Sequence, residues 1–585
     1  MNKEAISIGG NIWKLSEVDE NLSFRISQAY NLSDTISRII CSRGIAFEQV
    51  DDFINPKLQR LMPDPYVLKD MQKAVEKVAD VVINNSTIAI IGDYDVDGAT
   101  STSILTRFFR SVGINPIIHI PSREEGYGPS DVAFEKFKKE NAKLVITIDC
   151  GTTAFDVLNR ASAKGFNIIV IDHHEAEVIL PNVYALINPK RLDEENPYHY
   201  LEYMSAVGVG FMFLVALNRE LRKRGVYENI QAPDLMQLLD LVALGTVCDV
   251  VPLLGLNRAY VRQGLKVMAK QQNIGLKNLM KVAELNSSPS SYHLGFVLGP
   301  RINACGRVGD ASLGSRLLCS SDENEAQELA EKFNQFNAER KEIENYVLLS
   351  AIEQVEAVSQ EYPMAFVYGS DWHQGVIGIV AGKLKERYNV VSFVMSIEQD
   401  EVKGSARSIS GIDLGALIIA AKEKGVITAG GGHIMAAGFS LTEEQIPTFK
   451  KFAGEYILER LGNEKIIPVI TVDCVVSLLA VNESFAESLS VLEPYGAENP
   501  EPTILLKDVF ITKPQIVGSG HVKCVLTSSR GGYLKAISFR CADNDVGNTI
   551  LNTKGEAYNI IGKVKLDEWQ GRRNVQFIIE DISLG

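Results

Sequence analysis

The sequence predicts an α/β protein built around a parallel sheet, followed by a second α/β domain and an all-β C-terminal region. Three short apolar runs, each ending in acidic residues or histidine, predict the parallel sheet. A long stretch without Gly or Pro predicts a connector helix, and short strands separated by turns predict a closed barrel. The predicted domains are an N-terminal extension (1–67), a first α/β domain (68–321), the connector helix (322–361), a second α/β domain (362–462) and the barrel (463–585).

Each of the three apolar runs has the composition of a strand buried on both faces. They are Ile88–Ile91, Leu144–Ile148 and Ile168–Ile171. Helices are predicted at 99–112 and 156–164, and a glycine follows each of them. The result is a βαβαβ unit with right-handed crossovers.

Polar residues follow all three predicted strands. They are Asp93, Asp95 and Asp97 after the first, Asp149 after the second, and Asp172, His173 and His174 after the third. The carboxyl ends of parallel strands line one crevice, so these side chains are expected to share a pocket. A single Asp after a strand is more often a helix N-cap or turn residue. Acidic residues or histidines after three strands at one sheet edge favour a functional site.

A pocket of this composition favours a divalent metal. Crowded carboxylates repel one another unless a cation lies between them. Asp249 closes a further apolar run, after a helical passage at 234–244, and is a candidate for the same site. Oxygen ligands with few imidazoles and no thiolate favour Mn²⁺ or Mg²⁺ over zinc.

Several other segments are candidates for phosphate or base contacts. They contain Arg123 and Tyr127; Arg301, Asn303 and Arg307; Gln374; Ser405 and Arg407; and Gly431, Gly432 and His433. Arginines suit bidentate phosphate contacts, and the Gly430–His433 segment is predicted to be an anion-binding nest. The alternatives are a surface ion-pair cluster for the arginines and a plain loop for the glycines.

Composition favours an intracellular enzyme. The 585 residues carry a net charge of −14, are 46% hydrophobic, and include eight scattered cysteines without a Cys-x-x-Cys motif. No apolar stretch reaches the ~20 residues of a membrane span, and the first residues lack a signal-peptide pattern, so we expect a cytoplasmic protein with no membrane contact. Residues 507–581 contain eleven Lys/Arg and eight Asp/Glu, which favours a localised track for a polyanion.

The motif set resembles the DHH/DHHA1 phosphoesterase superfamily, and its domain order resembles the bacterial single-strand-specific exonucleases of that superfamily. Asp93-Tyr-Asp95-Val-Asp97-Gly98, Asp149, Asp172-His173-His174 and Asp249 are similar to the four DHH motifs, and Gly430–His433 to the DHHA1 signature. The resemblance covers about residue 68 to the end. It implies an OB-like barrel and an enzyme with two divalent cations that degrades single-stranded DNA from the 5′ end to mononucleotides, in recombination and repair.

The resemblance also implies residue roles. Asp95 and Asp149 would hold one metal, and Asp97, Asp149, His173 and Asp249 the other. His174 would face the scissile phosphate, and Asp172 would orient His173. Some relatives have a histidine at the position of Ile91, and Asp93 would replace it. The implied partners are single-stranded DNA, a single-strand-binding protein and a RecQ-type helicase, with the enzyme itself a monomer.

Two other functions use similar features. A small-molecule phosphohydrolase, such as a pyrophosphatase or cyclic-dinucleotide phosphodiesterase, could use the same metal site but needs no barrel. A non-catalytic nucleic-acid clamp could use the barrel but needs no set of metal ligands. The presence of both features favours the exonuclease.

Overall fold

The computed structural model describes residues 6–122, 125–357, 361–462, 466–569 and 572–585. The chain divides into two compact units. The first contains the residues up to Gly306, Asp310–Glu331 and Val469–Gly585, and the second contains Arg307–Gly309 and Lys332–Pro468. No helix among the described residues combines the length and apolar character that a membrane span requires.

The N-terminal region consists of a short strand and five helices. They are β1 (Ile12–Leu15), α1 (Glu20–Tyr30), α2 (Asp34–Ser42), α3 (Val50–Ile54), α4 (Leu58–Leu61) and α5 (Met71–Ile83). Capping side chains begin α1 and α2, where Asp19 and Ser33 accept hydrogen bonds from backbone N–H groups.

A five-stranded parallel sheet follows, with strand order β3-β2-β4-β5-β6. Its elements are β2 (Ile88–Ile91), α6 (Val96–Ser111), β3 (Ile117–His119), α7 (Asp131–Lys139), β4 (Leu144–Ile148), α8 (Phe155–Ala163), β5 (Ile168–Ile171) and β6 (Ala185–Ile187). The three predicted strands are confirmed, and they lie side by side at the centre of the sheet. The two edge strands were not predicted, because three residues give no clear periodicity.

The rest of the first α/β region is helical. Its elements are α9 (Ala206–Lys223), α10 (Leu239–Cys248), α11 (Gly255–Met268), α12 (Ile274–Val282), α13 (Ser291–His293), α14 (Gly299–Val308) and α15 (Leu313–Cys319). A π-helical turn, Leu294–Leu298, joins α13 to α14. Asp249 follows the last residue of α10 as its C-cap.

The predicted connector is a single helix of 35 residues, α16 (Glu323–Ala357), which begins in the first unit and ends in the second. The second unit then contains β7 (Met364–Gly369), α17 (Gln374–Tyr388), β8 (Val391–Glu398), β9 (Glu401–Arg407), α18 (Leu414–Glu423), β10 (Ala429–His433), β11 (Ala436–Thr442) and α19 (Ile446–Leu461). The strand order is β10-β11-β9-β8-β7, and only the β7–β8 pair is parallel. Trp372, just before α17, is 5% exposed and lies in the core.

The C-terminal region forms a closed five-stranded barrel. Its elements are β12 (Val469–Val472), β13 (Cys474–Val475), α20 (Glu483–Ser488), β14 (Ile504–Val517), β15 (His521–Ser528), β16 (Tyr533–Ser538), α21 (Asp545–Leu551), β17 (Ala557–Trp569) and β18 (Arg572–Leu584). The order β14-β15-β16-β18-β17 closes because β17 also pairs with β14. The barrel agrees with the predicted OB-like fold.

The N-terminal helices share one hydrophobic core with the barrel. Ile26, Ile39 and Phe53 belong to the same buried cluster as barrel residues such as Leu526 and Phe577. The sequence indicated only an N-terminal extension, because contacts between the two ends of a chain leave no local pattern.

A buried arginine on α11 joins three parts of the first unit. The Arg258 guanidinium donates to the carbonyl oxygens of Phe53 (2.7 Å), Leu492 (3.0 Å), Glu493 (2.7 Å) and Pro494 (3.2 Å). The residue is 1% exposed. It therefore connects α3 and the segment before β14 to the helices that surround the sheet.

Candidate metal centre and nuclease site

The acidic residues collect at the carboxyl ends of the three central strands. Asp93 follows β2, Asp149 follows β4, and Asp172 with His173 follows β5. All four side chains are buried, with at most 7% exposure. Since the strands are parallel neighbours, the sheet itself brings these residues to one edge.

Two helix N-termini hold the aspartates of the first motif. The Asp95 carboxylate accepts from the N–H of Gly98 (3.0 Å) and caps α6. The Asp97 carboxylate accepts from the N–H groups of Ala206 (2.6 Å) and Val207 (3.0 Å), in the first turn of α9. Helix N-termini favour negative charge, so these contacts position the carboxylates and partly offset their repulsion.

The motif's glycine is required by close packing. A Cβ atom on Gly98 would lie 2.4 Å from the carbonyl oxygen of Asp93, which no side chain tolerates. Asp93 and the start of α6 therefore approach each other only because residue 98 is glycine.

Asp149 has an uncommon backbone conformation, with φ +63°. The Tyr127 hydroxyl donates to its carbonyl oxygen at 2.9 Å. Strained residues of this kind persist where the surrounding structure holds them, and they concentrate at functional sites.

His173 lies among three carboxylates. Its Nε2 is 3.3 Å from Oδ1 of Asp149 and 3.9 Å from Oδ2 of Asp97, and its Nδ1 is 3.6 Å from Oδ2 of Asp249. Among the described residues, three sets of side chains have ligand atoms within 4.8 Å of one another: Asp93, Asp95 and Asp149; Asp97, His173 and Asp249; and Asp149, His173 and His174. Asp149 and His173 each belong to two of these sets.

The electrostatics of this cluster fit a divalent cation. Burial, and then the charge of Asp95, raise the pKa of Asp97 to about 7. Burial, and then Asp97 and Asp95, raise the pKa of Asp249 to about 9, and similar causes raise the pKa of Asp149 well above its usual range. Burial lowers the pKa of His173 to about 3, which leaves its ring neutral. A bound cation would favour the ionised carboxylates and would use the neutral imidazole.

Two polar atoms support the same conclusion. His173 Nδ1 and Asp249 Oδ2 are buried, and neither has a hydrogen-bond partner among the described residues. Such atoms cost free energy unless something binds them, and both are metal-ligand types. The residues present therefore fit Mn²⁺ or Mg²⁺, and Asp93 lies beside Asp95 and Asp149.

Asp172 contacts His174, which corrects our expectation that it orients the His173 ring. Oδ1 of Asp172 is 2.7 Å from Nδ1 of His174 and accepts from the backbone N–H of His173 (2.8 Å), while Oδ2 accepts from the N–H of Thr152 (2.9 Å). Burial lowers the pKa of His174, but Asp172, together with the charges of Asp97 and Asp93, more than offsets this and the pKa is raised. The side chain of His174 is 42% exposed and available to a substrate.

Tyr127 and a residue that the sequence analysis missed complete this part of the site. The Tyr127 hydroxyl lies 3.3 Å from the ring nitrogens of His174, so it contacts the candidate catalytic histidine as well as Asp149. Asn188, directly after β6, donates to the carbonyl oxygen of His174 (2.8 Å) and to Thr152 Oγ1 (2.9 Å). Prediction of β6 would have placed Asn188 at the same sheet edge.

The other candidates of the first unit divide three ways. Arg123 lies outside the described residues. Arg301 donates to the carbonyl oxygen of Val297 (2.7 Å) in the π-helical turn. Asn303, on α14, lines a cavity together with Cys248 and Val250, the sequence neighbours of Asp249.

In the second unit, three candidates gather along the first turns of α17. Arg307 donates to the carbonyl oxygen of Gly375 at 2.7 Å. Arg407 Nη2 and Ser405 Oγ each lie 3.1 Å from the position that a Cβ atom of Gly378 would occupy. Burial lowers the pKa of Arg407, and no carboxylate among the described residues forms an ion pair with it. Two arginines, a hydroxyl and a helix N-terminus form a suitable anion site.

The remaining two candidates of the second unit differ from expectation. Gln374 begins α17 but donates to the Glu398 carboxylate (2.9 Å). Gly431, Gly432 and His433 belong to the edge strand β10, paired antiparallel with β11, and not to a nest. A Cβ atom on Gly432 would lie 2.5 Å from the carbonyl oxygen of Ala436, so close packing of the hairpin explains this glycine. The sequence predicted an anion-binding nest, with a plain loop as the alternative, and did not indicate a strand because glycine is rare in strands.

Comparison with known proteins identifies the family. Residues 87–246 match the DHH family N-terminal domain, residues 360–459 match the DHHA1 domain, and residues 472–581 match the RecJ OB domain. The chain is 34% identical to the single-stranded-DNA-specific exonuclease RecJ of Escherichia coli, over 97% of this chain and 98% of the relative. It is 31% identical to RecJ of Bacillus subtilis, over 98% of this chain and 71% of the relative.

The chain belongs to the RecJ family. RecJ of Thermus thermophilus, solved in complex with Mn²⁺, superimposes with a TM-score of 0.80 at 25% identity, over 97% of this chain and 79% of that one. The same relative has also been solved with Mg²⁺. These findings confirm the predicted superfamily, fold class and divalent cofactor. The RecJ family consists of metal-dependent exonucleases specific for single-stranded DNA, and the match of residues 472–581 to the RecJ OB domain argues against the small-molecule phosphohydrolase.

Proposed function

We propose that this RecJ-family enzyme removes mononucleotides from the 5′ end of single-stranded DNA with two divalent cations in adjacent positions. The observation that carries the proposal is that Asp149 belongs to one set of ligand atoms with Asp93 and Asp95 and to a second set with His173, which in turn belongs to a set with Asp97 and Asp249. Asp93, Asp95 and Asp149 would hold one cation, and Asp97, Asp149, His173 and Asp249 the other. When bound, two such cations supply an activated water and offset the negative charge that develops on the phosphate.

The protein's own residues would prepare the substrate at this centre. His174 is held by Asp172 and keeps its proton to higher pH than a free histidine, so its Nε2 can donate to an oxygen of the scissile phosphate. Tyr127 limits the rotation of the His174 ring. The charge of a protonated His174 would favour the transition state, in which the phosphate carries more negative charge than in the substrate.

Strand polarity would come from the anion site at α17. Arg307, Ser405, Arg407 and the N-terminal turn of α17 would bind the terminal 5′ phosphate. Removal of one nucleotide at a time from the end bound in this way would give mononucleotides. Base identity would not matter, because each of these contacts is made to phosphate.

The test compares 5′-phosphorylated and 5′-hydroxyl single strands of one sequence, with duplex DNA as a further substrate, in Mn²⁺, Mg²⁺ or EDTA. The proposal expects faster cleavage of the phosphorylated strand, release of labelled mononucleotides from the 5′ end, little cleavage of duplex and none in EDTA. Release of products from the 3′ end would overturn the assigned polarity.

We further propose that the enzyme acts as a monomer in the cytoplasm, on single strands coated by a single-strand-binding protein and exposed by a RecQ-type helicase. Family membership and the DNA specificity of the relatives support this. Co-purification of tagged enzyme with these two proteins after nuclease treatment, together with light scattering, tests it. Loss of both proteins on nuclease treatment would show that DNA alone joined them to the enzyme.

A further inference from the structure

Helix α10 packs against the metal centre through a glycine. Gly245 lies one turn before Asp249, the candidate metal ligand at the end of this helix. A Cβ atom at this position would lie 2.4 Å from Oγ1 of Thr100, 2.7 Å from Cγ1 of Val207 and 2.8 Å from Oδ1 of Asp97. All three distances are below 3.0 Å, a separation that real Cβ atoms essentially never show. Residue 245 therefore has no room for a side chain, at the point where α10 meets α6 and α9.

The atoms around Gly245 are held in place. Thr100, Val207 and Asp97 are buried. The Thr100 hydroxyl donates to the carbonyl oxygen of Val96 within α6 at 2.8 Å. The N–H of Val207 is one of the two that bind the Asp97 carboxylate. Because protein interiors are closely packed, an added atom at residue 245 must move a whole helix or the carboxylate itself.

The opposite side of α10 is packed just as closely. Gly264 of α11 faces this side, and a Cβ atom on it would lie 2.1 Å from the carbonyl oxygen of Leu239 and 2.4 Å from Cβ of Ala243. Ala243 and Gly245, two residues apart, point in directions that differ by about 200° around an α-helix. A shift of α10 away from the metal centre would therefore press it into α11.

The end of α10 carries Asp249 with it. The N–H of Asp249 donates to the carbonyl oxygen of Gly245 at 2.9 Å. Oγ1 of Thr246 is 3.3 Å from Oγ of Ser205, the N-cap of α9. Because Asp249 is joined to Gly245 through the helix backbone, a displacement of residue 245 reaches the carboxylate that lies 3.6 Å from Nδ1 of His173.

We propose that Gly245 is a positioning residue of the metal centre, since its missing side chain lets α10 lie close enough for Asp97 and Asp249 to hold the same cation. This inference rests on the proposed function, in which these two aspartates share a cation with His173. The three atoms nearest to the Cβ position include none from the other set of ligands, which is Asp93, Asp95 and Asp149. A side chain at residue 245 should therefore weaken one cation more than the other.

The test measures Mn²⁺ binding to the full-length enzyme without DNA, by isothermal titration calorimetry, together with the metal-free melting temperature. The unmodified enzyme should bind two Mn²⁺ ions. Gly245→Ala should bind one of them about ten-fold to a hundred-fold more weakly, the usual range for changes beside metal ligands. Asp249→Asn is the benchmark and should weaken the same ion. In the double variant, Gly245→Ala should add no further loss, because the ligand through which it acts is already gone.

Gly454→Ala is the matched control. It adds the same atom within α19 of the second unit, where a Cβ atom would lie 2.2 Å from the Tyr362 ring. Whatever its effect on the melting temperature, this variant should leave Mn²⁺ affinity unchanged.

Thr100→Val and Thr100→Ala form a second pair, which tests the same contact from α6 if Gly245→Ala does not fold. Both variants lose the hydroxyl, but only valine places a methyl group where Oγ1 faces Gly245. Thr100→Val should therefore bind Mn²⁺ several-fold more weakly than Thr100→Ala does.

Three results would overturn the positioning role. They are normal Mn²⁺ affinity in a folded Gly245→Ala, a loss of the same size with and without Asp249→Asn, and, where Gly245→Ala does not fold, equal affinities of the two Thr100 variants. Binding of a single ion by the unmodified enzyme, or normal Mn²⁺ binding by Asp249→Asn, would instead contradict the proposed function, because the two-cation assignment would fail.

Discussion

Replacing Asp172 by asparagine tests how His174 is held. The substitution keeps the size of the side chain but removes the charge that faces Nδ1 of His174 at 2.7 Å. Hydrogen bonds to charged groups contribute about 1.5–3 kcal/mol. If this energy is expressed fully in the transition state, kcat should fall about 10- to 150-fold, because each 1.4 kcal/mol is about ten-fold in rate.

The pH profile adds a second readout. Asp172 raises the pKa of His174, so the protonated ring persists to higher pH than it would alone. Protonation is complete below the pKa and is lost as pH rises through it. In Asp172→Asn this loss should occur at lower pH, and the alkaline limb of the kcat profile should shift to lower pH.

The assay measures kcat on labelled single strands across pH at saturating Mn²⁺, together with the Mn²⁺ concentration for half-maximal rate. Glu175→Gln is the matched control, because it makes the same change on an adjacent side chain that is 68% exposed and pairs with Lys190. A melting curve shows whether loss of the Thr152 contact disturbs the fold. The reasoning is refuted if Asp172→Asn reaches the kcat of the unmodified enzyme once the Mn²⁺ concentration is high enough to saturate the variant. Asp172 would then act on metal affinity.

Three other predictions follow from the structure. Arg407→Ala should remove most of an approximately ten-fold preference for 5′-phosphorylated strands, because a charge-assisted phosphate contact is lost; an unchanged ratio of cleavage rates would contradict this. The raised pKa values of Asp97 and Asp249 mean that their ionisation destabilises the metal-free fold as pH rises above about 4, so Mn²⁺ should raise Tm more at about pH 8 than at about pH 5.5. Equal Tm shifts at the two pH values would argue against ionised ligands. Arg258→Met should lower the unfolding free energy by about 3 kcal/mol or more, measured by denaturant titration, because four backbone carbonyl oxygens lose their donor.

Much of the metal centre could be predicted because its residues follow strands with a clear apolar pattern. The apolar runs of four or five residues before Asp93, Asp149 and Asp172 define buried parallel strands, and the edge they share follows from topology alone. Asp249 was a weaker inference, since it follows a helix and its distance to His173 depends on tertiary packing.

The parts that could not be predicted depend on contacts between distant residues. The family resemblance implied that Asp172 orients His173, but the turn after β5 directs its carboxylate to His174 instead. The Gly430–Gly432 run suggested an anion-binding nest or a plain loop, and only pairing with β11 shows it to be a strand. The shared core of α1–α3 and the barrel joins segments more than 400 residues apart.

That shared core changes how the barrel should be tested. Deletion of the C-terminal region would expose Ile26, Ile39 and Phe53 to water, so a loss of DNA binding could come from misfolding. Point substitution of Lys563 and Lys565 avoids this problem. Each phosphate contact that is lost should flatten the dependence of log affinity on log salt by about 0.7 for single strands.

The most direct test of the shared-ligand account is the cleavage of 5′-labelled single strands by Asp149→Asn at saturating Mn²⁺. Asparagine tolerates the positive φ of this position better than alanine does, so the fold should be kept. The account predicts no detectable hydrolysis, with a metal-free melting temperature at or above that of the unmodified enzyme, because a buried charge is removed. Substantial hydrolysis with a normal melting curve would contradict the assignment of Asp149 to both metals.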